Sequence, residues 1–352
     1  MFEMEEREIK KLIEENINLK RYIREYAKNL KQKMKKSLTF YRKLPFDLKN
    51  EEYPNAIYPT KGPIFVHVYR TDGMSQPEYH VIEPLLNDVE KEKYENILTL
   101  ILEKAPHKKE AKNENELREL IKEIIDEVTV ITDSSEIDSS SKDNFLGRFA
   151  ARKIKVTALE KDKIEFAVIK NIIGGGLIEC FMRDPYLEDI HVIPGEKIHL
   201  IHKVFDMIKT NIELGTDFAP TFSRELSEKI GSPVSAGKPI ADGVLPDGSR
   251  VNIIYSDDVS LKGPTMTIRK FSETPISAIQ LTKWGTLSPE ITAYLWLCLE
   301  HGLTIFICGE TASGKTTTLN AVIPFIPATR KIYTAESSPE IHVPHPVWQQ
   351  LL

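Results

Sequence analysis

Gly309-Glu310-Thr311-Ala312-Ser313-Gly314-Lys315-Thr316 has the spacing G-x-x-x-x-G-K-[ST], and each fixed type has a chemical reason. Gly309 and Gly314 let the backbone curl so that successive N–H groups point inward at one anion. A helix beginning near Lys315 adds the positive end of its dipole. The Lys315 ammonium is then placed to reach the β- and γ-phosphates of a nucleoside triphosphate, and the Thr316 hydroxyl to ligate Mg²⁺. Gly309 through Thr317 form the expected phosphate-binding run.

The flanking residues supply the frame that this loop requires. Leu303-Thr304-Ile305-Phe306-Ile307-Cys308 is apolar and β-branched, which predicts a buried strand. Thr316 to Ile323 has helical pattern until Pro324 breaks it. Upstream, Ser288 caps a predicted helix, Pro289 suits its first position, and Gly302 closes it; Ile291, Leu295, Cys298 and Leu299 share one of its faces. Downstream, Lys331 to Ala335 reads as a strand that delivers Glu336 at its C-terminal end, where a carboxylate in a P-loop sheet lies near the γ-phosphate.

Further upstream, Leu245-Pro246-Asp247-Gly248-Ser249-Arg250 is a turn leading into a strand over Val251–Tyr255, and Thr265–Phe271 is another strand, so a hairpin is expected. Gly174-Gly175-Gly176 reads as a helix C-cap and turn after a helix from Thr157 to Ile173, not as a second phosphate loop, because no strand precedes it. The charges in Arg183-Asp184-Pro185-Tyr186-Leu187-Glu188-Asp189-Ile190 read as loop and cap chemistry rather than a metal site, since His191 alone completes no ligand set. Strands are expected at His191–Ile193 and Lys197–His202.

The remaining chain divides by composition. Residues 1–43 carry a charged helix, continuous from 4 to 36, whose Ile9, Leu12, Asn16, Leu19, Ile23, Tyr26 and Leu30 occupy heptad seam positions, enough for a short coiled coil or a docked helix. Its second half, Lys20 to Lys36, is strongly basic with Glu25 as its one acid, and reads as a solvated face in preference to a patch for an acidic partner. Residues 44–132 look like a small α/β domain, with strands at Phe65–Tyr69 and His80–Pro84 and helices at Asp88–Leu102 and Glu114–Glu127. Residues 133–142 are a Ser-rich linker or loop, 143–271 a second α/β domain, and 272–352 the first part of the P-loop domain. Net charge is −5, which gives no global attraction to nucleic acid. The three cysteines have no metal spacing and fit a reducing compartment, and no apolar run reaches membrane-span length.

Five segments together carry a resemblance: Asp184-Pro185 with Glu188-Asp189-Ile190; Leu245-Pro246-Asp247-Gly248-Ser249-Arg250; Thr267-Ile268-Arg269-Lys270-Phe271; the phosphate loop; and Tyr333-Thr334-Ala335-Glu336. They resemble the type II/type IV secretion ATPase superfamily, most closely its archaeal members that drive pilus, archaellum or secretion machines, over roughly residues 60 to 352. The resemblance implies an α/β fold in which N-terminal α+β domains precede the start of a RecA-like P-loop domain. It implies ATP with Mg²⁺ as cofactors, a homo-hexamer, a polytopic membrane platform protein as partner, and a cytoplasmic location at the inner face of the membrane. Nucleic acid is not an expected partner. Arg250 and Arg269 match arginines that approach the phosphates, where planar guanidinium groups stabilise a transferring phosphoryl group. Glu336 matches the acid that orients water, and Glu340 a second acid; Ser337 stands where relatives carry Asp.

The expected function is an ATP-hydrolysing motor subunit. Its catalytic residues are Lys315, Glu336, Arg250 and Arg269, and Thr316 holds Mg²⁺. A non-hydrolysing, nucleotide-binding assembly component and, behind it, a DNA-translocating motor are the alternatives. The resemblance also implies a second acidic strand end and a histidine segment that these residues do not contain, so a fragment or truncated frame is expected.

Overall fold

Asn16 breaks the N-terminal helix. Its backbone is extended (φ −118°, ψ 99°), and its side-chain amide donates to the Leu12 carbonyl at 2.9 Å. The result is two helices, α1 (Glu6–Glu15) and α2 (Ile17–Asn29), in place of the continuous 4–36 helix and its heptad seam. A polar residue able to satisfy the end of the first helix stops it there. Leu19, Tyr22 and Tyr26 of α2 are buried against Phe40, Ile57, Phe65 and Ile82, so this is a helix docked on its own sheet.

The computed structural model describes residues 2–108, 111, 113–132, 153–256, 258–271, 275–310, 313–336 and 340–351. The expected Ser-rich linker at 133–142 lies outside them. The chain divides into two units, Met1–Ala219 and Pro220–Leu352. This division falls elsewhere than the expected bounds at 142/143 and 271/272.

In that unit β1 (Thr39–Phe40), β2 (Asn55–Pro59), β3 (Phe65–Tyr69) and β4 (Glu78–Ile82) are followed by α3 (Asp88–Lys104), α4 (Glu114–Val128), β5 (Thr129–Ile131), β6 (Ile154–Val156), α5 (Ala158–Ile172) and α6 (Glu179–Met182). Then come β7 (Leu187–Val192), β8 (Lys197–His202) and β9 (Asp206–Glu213). The strand order β1-β2-β3-β4-β9-β8-β7 joins residues from both sides of the expected linker in one sheet. The seam is β4 on β9, which pair parallel through Glu78↔Lys209 and Tyr79↔Thr210. Long-range strand pairing of this kind leaves no compositional trace in the sequence. Helices α3, α4 and α5 build a second core around Ile97, Ile124, Ile125, Ile164 and Val168. Asn87 and Thr157 start α3 and α5 with reciprocal caps from Glu90 and Glu160. The glycine run ends α5 as expected, with Gly174 N bonded to Ile169 O and Gly176 at φ 58°.

The second unit starts with α7 (Ala219–Lys229) and an antiparallel meander of β10 (Ile240–Val244), β11 (Arg250–Ile254) and β12 (Thr265–Arg269). The turn over 245–249 is the expected hairpin, with Gly248 at φ 87° and its N–H on Leu245 O. Helices α8 (Ala278–Lys283), α9 (Pro289–Glu300) and α10 (Lys315–Val322) follow, then β13 (Ile332–Ala335) parallel to β14 (Trp348–Leu351). Helix α9 has the expected Ser288 cap and Gly302 stop, but Ile291, Tyr294, Trp296 and Leu297 stay exposed and only Cys298 is buried on it. The run Leu303–Cys308 corrects the expected buried strand. It joins no ladder among the described residues, and Phe306 is 86% exposed. An apolar β-branched run becomes a strand only with a neighbour to bond, and β13 takes β14 as its partner instead.

Candidate functional site

Gly314 sits in the left-handed region at φ 88° and is the N-cap of α10, so Lys315 opens the helix as the motif requires. At Gly309 a Cβ would stand 2.6 Å from Ser313 Oγ, a distance no real side chain tolerates. The loop therefore folds back on its own first residue. Lys315 Nζ donates to the Glu310 carbonyl at 2.6 Å and spans the loop. Thr316 and Thr317 follow in the first turn of α10, half-buried. Thr311 and Ala312 lie outside the described residues. A glycine-only cradle, a lysine crossing it and a helix N-terminus behind it together suit a polyphosphate. For Mg²⁺ the chain brings the Thr316 hydroxyl, and among the described residues no cluster of His, Cys, Asp or Glu has metal-ligand geometry.

Glu336 caps the C-terminal end of β13, as expected, and its carboxylate is fully engaged. Oε2 accepts from Glu340 N at 2.7 Å and Ile341 N at 2.9 Å, and Oε1 from Gln350 Nε2 at 3.1 Å. Burial pushes this carboxyl upward, but the donors, led by Glu340 N, outweigh it and hold it below the usual carboxylate range. Gln350 lies on β14, a strand that the sequence pattern did not suggest.

Arg250 and Arg269 are paired partners in the β11–β12 ladder, both on the exposed face. Arg250 forms a fork with Asp242 on β10, Nε to Oδ1 at 3.1 Å and Nη2 to Oδ2 at 2.8 Å. Asp242, and beyond it Glu340, raise the guanidinium pKa further. Glu340 thus lies within electrostatic reach of Arg250.

Three residues that sequence reasoning missed join these parts. Asn320 on α10 donates from Nδ2 to Glu340 O at 2.9 Å and accepts at Oδ1 from His342 N at 2.8 Å. The His342 ring stacks on Phe271 at 4.5 Å between centroids. Phe271 N donates to Ser249 Oγ, and its ring lies so close to Gly248 that a Cβ there would meet it at 3.0 Å. No residue spacing announces such contacts; an Asn in mid-helix with a buried side chain is the one available hint.

Comparison with known proteins places these observations. The profile described as type II/IV secretion system protein matches residues 165–351. A protein of Methanocaldococcus jannaschii, MJ0900, is 47% identical over 351 residues, which is 99% of this chain and 62% of that protein. The chain thus spans less than two thirds of that relative's length. The protein VirB11 of Agrobacterium fabrum is 26% identical over 137 residues, covering 32% of this chain and 40% of VirB11. Among solved structures, the VirB11 ATPase from the Brucella suis type IV secretion system aligns at a TM-score of 0.26 with 20% identity, over 48% of this chain and 57% of that one. With over half of its residues matched by the family profile, phosphate loop and arginine hairpin included, the chain belongs to the type II/IV secretion system protein family.

Proposed function

We propose that this chain is part of an ATP-binding and hydrolysing motor subunit of a type II/IV secretion or pilus-type assembly system. The observation that carries this reading is the loop itself. A Cβ at Gly309 would displace the Ser313 side chain, Gly314 adopts a left-handed conformation at the helix start, and Lys315 bonds back to the Glu310 carbonyl. Mg²⁺, when bound, would be held by the Thr316 hydroxyl and would neutralise charge that develops on phosphoryl transfer. The chain's residues divide the remaining work. Lys315 and the first amides of α10 hold the phosphates, and Thr316 and Thr317 line the same turn. Glu336, ionised and rigidly held, orients the attacking water. Arg250 and Arg269 supply positive charge to the phosphoryl oxygens once Arg250 turns from Asp242. A homo-hexamer, a polytopic membrane platform as partner, and action at the cytoplasmic face of the membrane belong to the same proposal, with no role assigned to nucleic acid. The domain proposal is a charged helix over 1–43, α/β domains over 44–132 and 143–271 with a linker at 133–142 between them, and the first part of a P-loop domain over 272–352.

A second reading is a nucleotide-binding assembly component without turnover. It is favoured by the engagement of two of the four catalytic candidates with their own chain: Glu336 with the backbone of Glu340 and Ile341, and Arg250 with Asp242. Measuring ATP binding and phosphate release for the wild type and Lys315→Ala separates the two. Wild-type turnover lost in the variant supports the motor; binding without turnover supports the second reading; equal behaviour of both proteins overturns both.

A further inference from the structure

Glu336 cannot orient anything unless its carboxylate is fixed relative to Lys315, yet the two lie on different elements. The donors that fix it are the amides of Glu340 and Ile341. That stretch is in turn fastened to α10, the helix that Lys315 opens, by Asn320. Its amide group satisfies one backbone acceptor and one backbone donor two residues apart, Glu340 O and His342 N. Asn320 is 9% exposed, so both bonds form with little competition from water. The same stretch continues into the His342 ring, which stacks on Phe271. Phe271 in turn packs on Gly248 and bonds Ser249, the residues immediately before Arg250, and it follows Arg269 by two positions.

We propose that Asn320 is a positioning residue that locks the Glu340–His342 backbone to the phosphate-binding helix and so sets Glu336 against Lys315, and that the His342–Phe271 stack extends this clamp to the arginine hairpin. The inference rests on the nucleotide reading above for its functional meaning, while its geometry is independent of that reading. Asn is the type required. Asp at this position keeps an acceptor for His342 N but sets a second acceptor against Glu340 O. Leu has similar volume and offers neither bond. Phe271→Leu removes the stack while retaining an apolar side chain.

Hydrogen exchange on the 352-residue protein tests the clamp without nucleotide. Amide exchange at Glu340 and Ile341 rises at least tenfold in Asn320→Leu and Asn320→Asp, and at His342 in Asn320→Leu, with β10–β12 peptides unchanged. If those amides exchange as in the wild type in both variants, the clamp is overturned, whether or not ATP binds. Where the wild type hydrolyses ATP, both variants lose at least tenfold in kcat with the ATP dissociation constant within about twofold. The acidic limb of their pH–rate profile moves up, because Glu336 has lost well-placed donors. Faster exchange with unchanged kcat and pH profile would overturn the positioning role. Lys315→Ala serves as the separate control: if it binds ATP as the wild type does, the nucleotide reading fails while the exchange result still decides the clamp. Phe271→Leu, in the same assays, leaves exchange at Glu340 and Ile341 near the wild type but lowers kcat at least threefold; no change in kcat would remove the hairpin from the clamp.

Discussion

Arg250 stands directly opposite Arg269 in the β11–β12 ladder, on one exposed face. Like charges placed so repel, and Asp242, on the neighbouring strand, offsets part of that repulsion by taking Arg250 in a two-bond fork. Asp242→Asn should therefore cost stability, but modestly. Both side chains are about half exposed, so the loss is at most about 1 kcal/mol after solvent screening. Removing the repulsion with Arg269→Gln should recover part of it. A double-mutant cycle from urea midpoints checks this; additive losses would mean that Asp242 does not offset the arginine pair.

Gly309 gives a second prediction. A methyl group there would meet Ser313 Oγ at 2.6 Å, so Gly309→Ala must displace the Ser313 side chain within the loop. The expected outcome is at least tenfold weaker ATP binding with little change in melting temperature, because the loop is exposed and carries little of the core. Gly309→Ala with Ser313→Ala removes the clashing oxygen and should restore part of the affinity. Calorimetric titration with ATP decides it; if the single variant binds like the wild type, the loop does not depend on this close approach.

These two sites show what the sequence made legible. The phosphate loop is a local object: spacing, glycines and helix start are all written within a few residues, and the structure keeps that order. The hairpin turn before Arg250 and the strand end at Glu336 were legible for the same reason. The partners of the candidate groups were not. Asp242 meets Arg250 across a ladder, Gln350 reaches Glu336 from a strand whose pattern is unremarkable, and Asn320 bonds backbone atoms whose identity no side chain reveals. The expected strand at Leu303–Cys308 failed for a related reason. Apolar alternation states a preference for a sheet but cannot supply the neighbour that completes it.

His67 predicts the acid behaviour of the first unit. It is fully buried on β3, accepting from Tyr22 OH at Nδ1 and donating from Nε2 to Asn55 Oδ1, each at 2.7 Å. Both bonds suit the neutral ring, and burial pushes its pKa down to about 3 from an ordinary 6.5. The unfolded chain therefore binds more protons than the folded one between those values. Stability should be level above pH 6.5 and fall as pH drops toward 3, by up to ~1.4 kcal/mol per pH unit for this group. His67→Gln should be less stable at neutral pH but show a shallower decline. Urea unfolding between pH 7.5 and 5 measures the slope; equal slopes in the two proteins would assign the acid loss elsewhere.

Asp184 supplies the last test, because its burial is complete and it gathers donors from three tyrosines. Tyr58 OH and Tyr79 OH donate to Oδ2 at 2.6 and 2.7 Å, and Tyr186 N donates to Oδ1 at 2.8 Å. His202 accepts at Nδ1 from Val204 N, which leaves Nε2 as the donor to Tyr58 OH at 3.2 Å. The chain of donors thus runs in one direction, from His202 through Tyr58 to Asp184. Removing the end acceptor strands every donor above it, whereas removing one hydroxyl strands little. Asp184→Ala should cost ~3–5 kcal/mol, and Tyr79→Phe only ~1–2 kcal/mol, since the carboxylate keeps its other donors. Urea midpoints measured at one pH compare them. A Tyr79→Phe loss as large as that of Asp184→Ala would show that Tyr79, not Asp184, is the point on which the network depends.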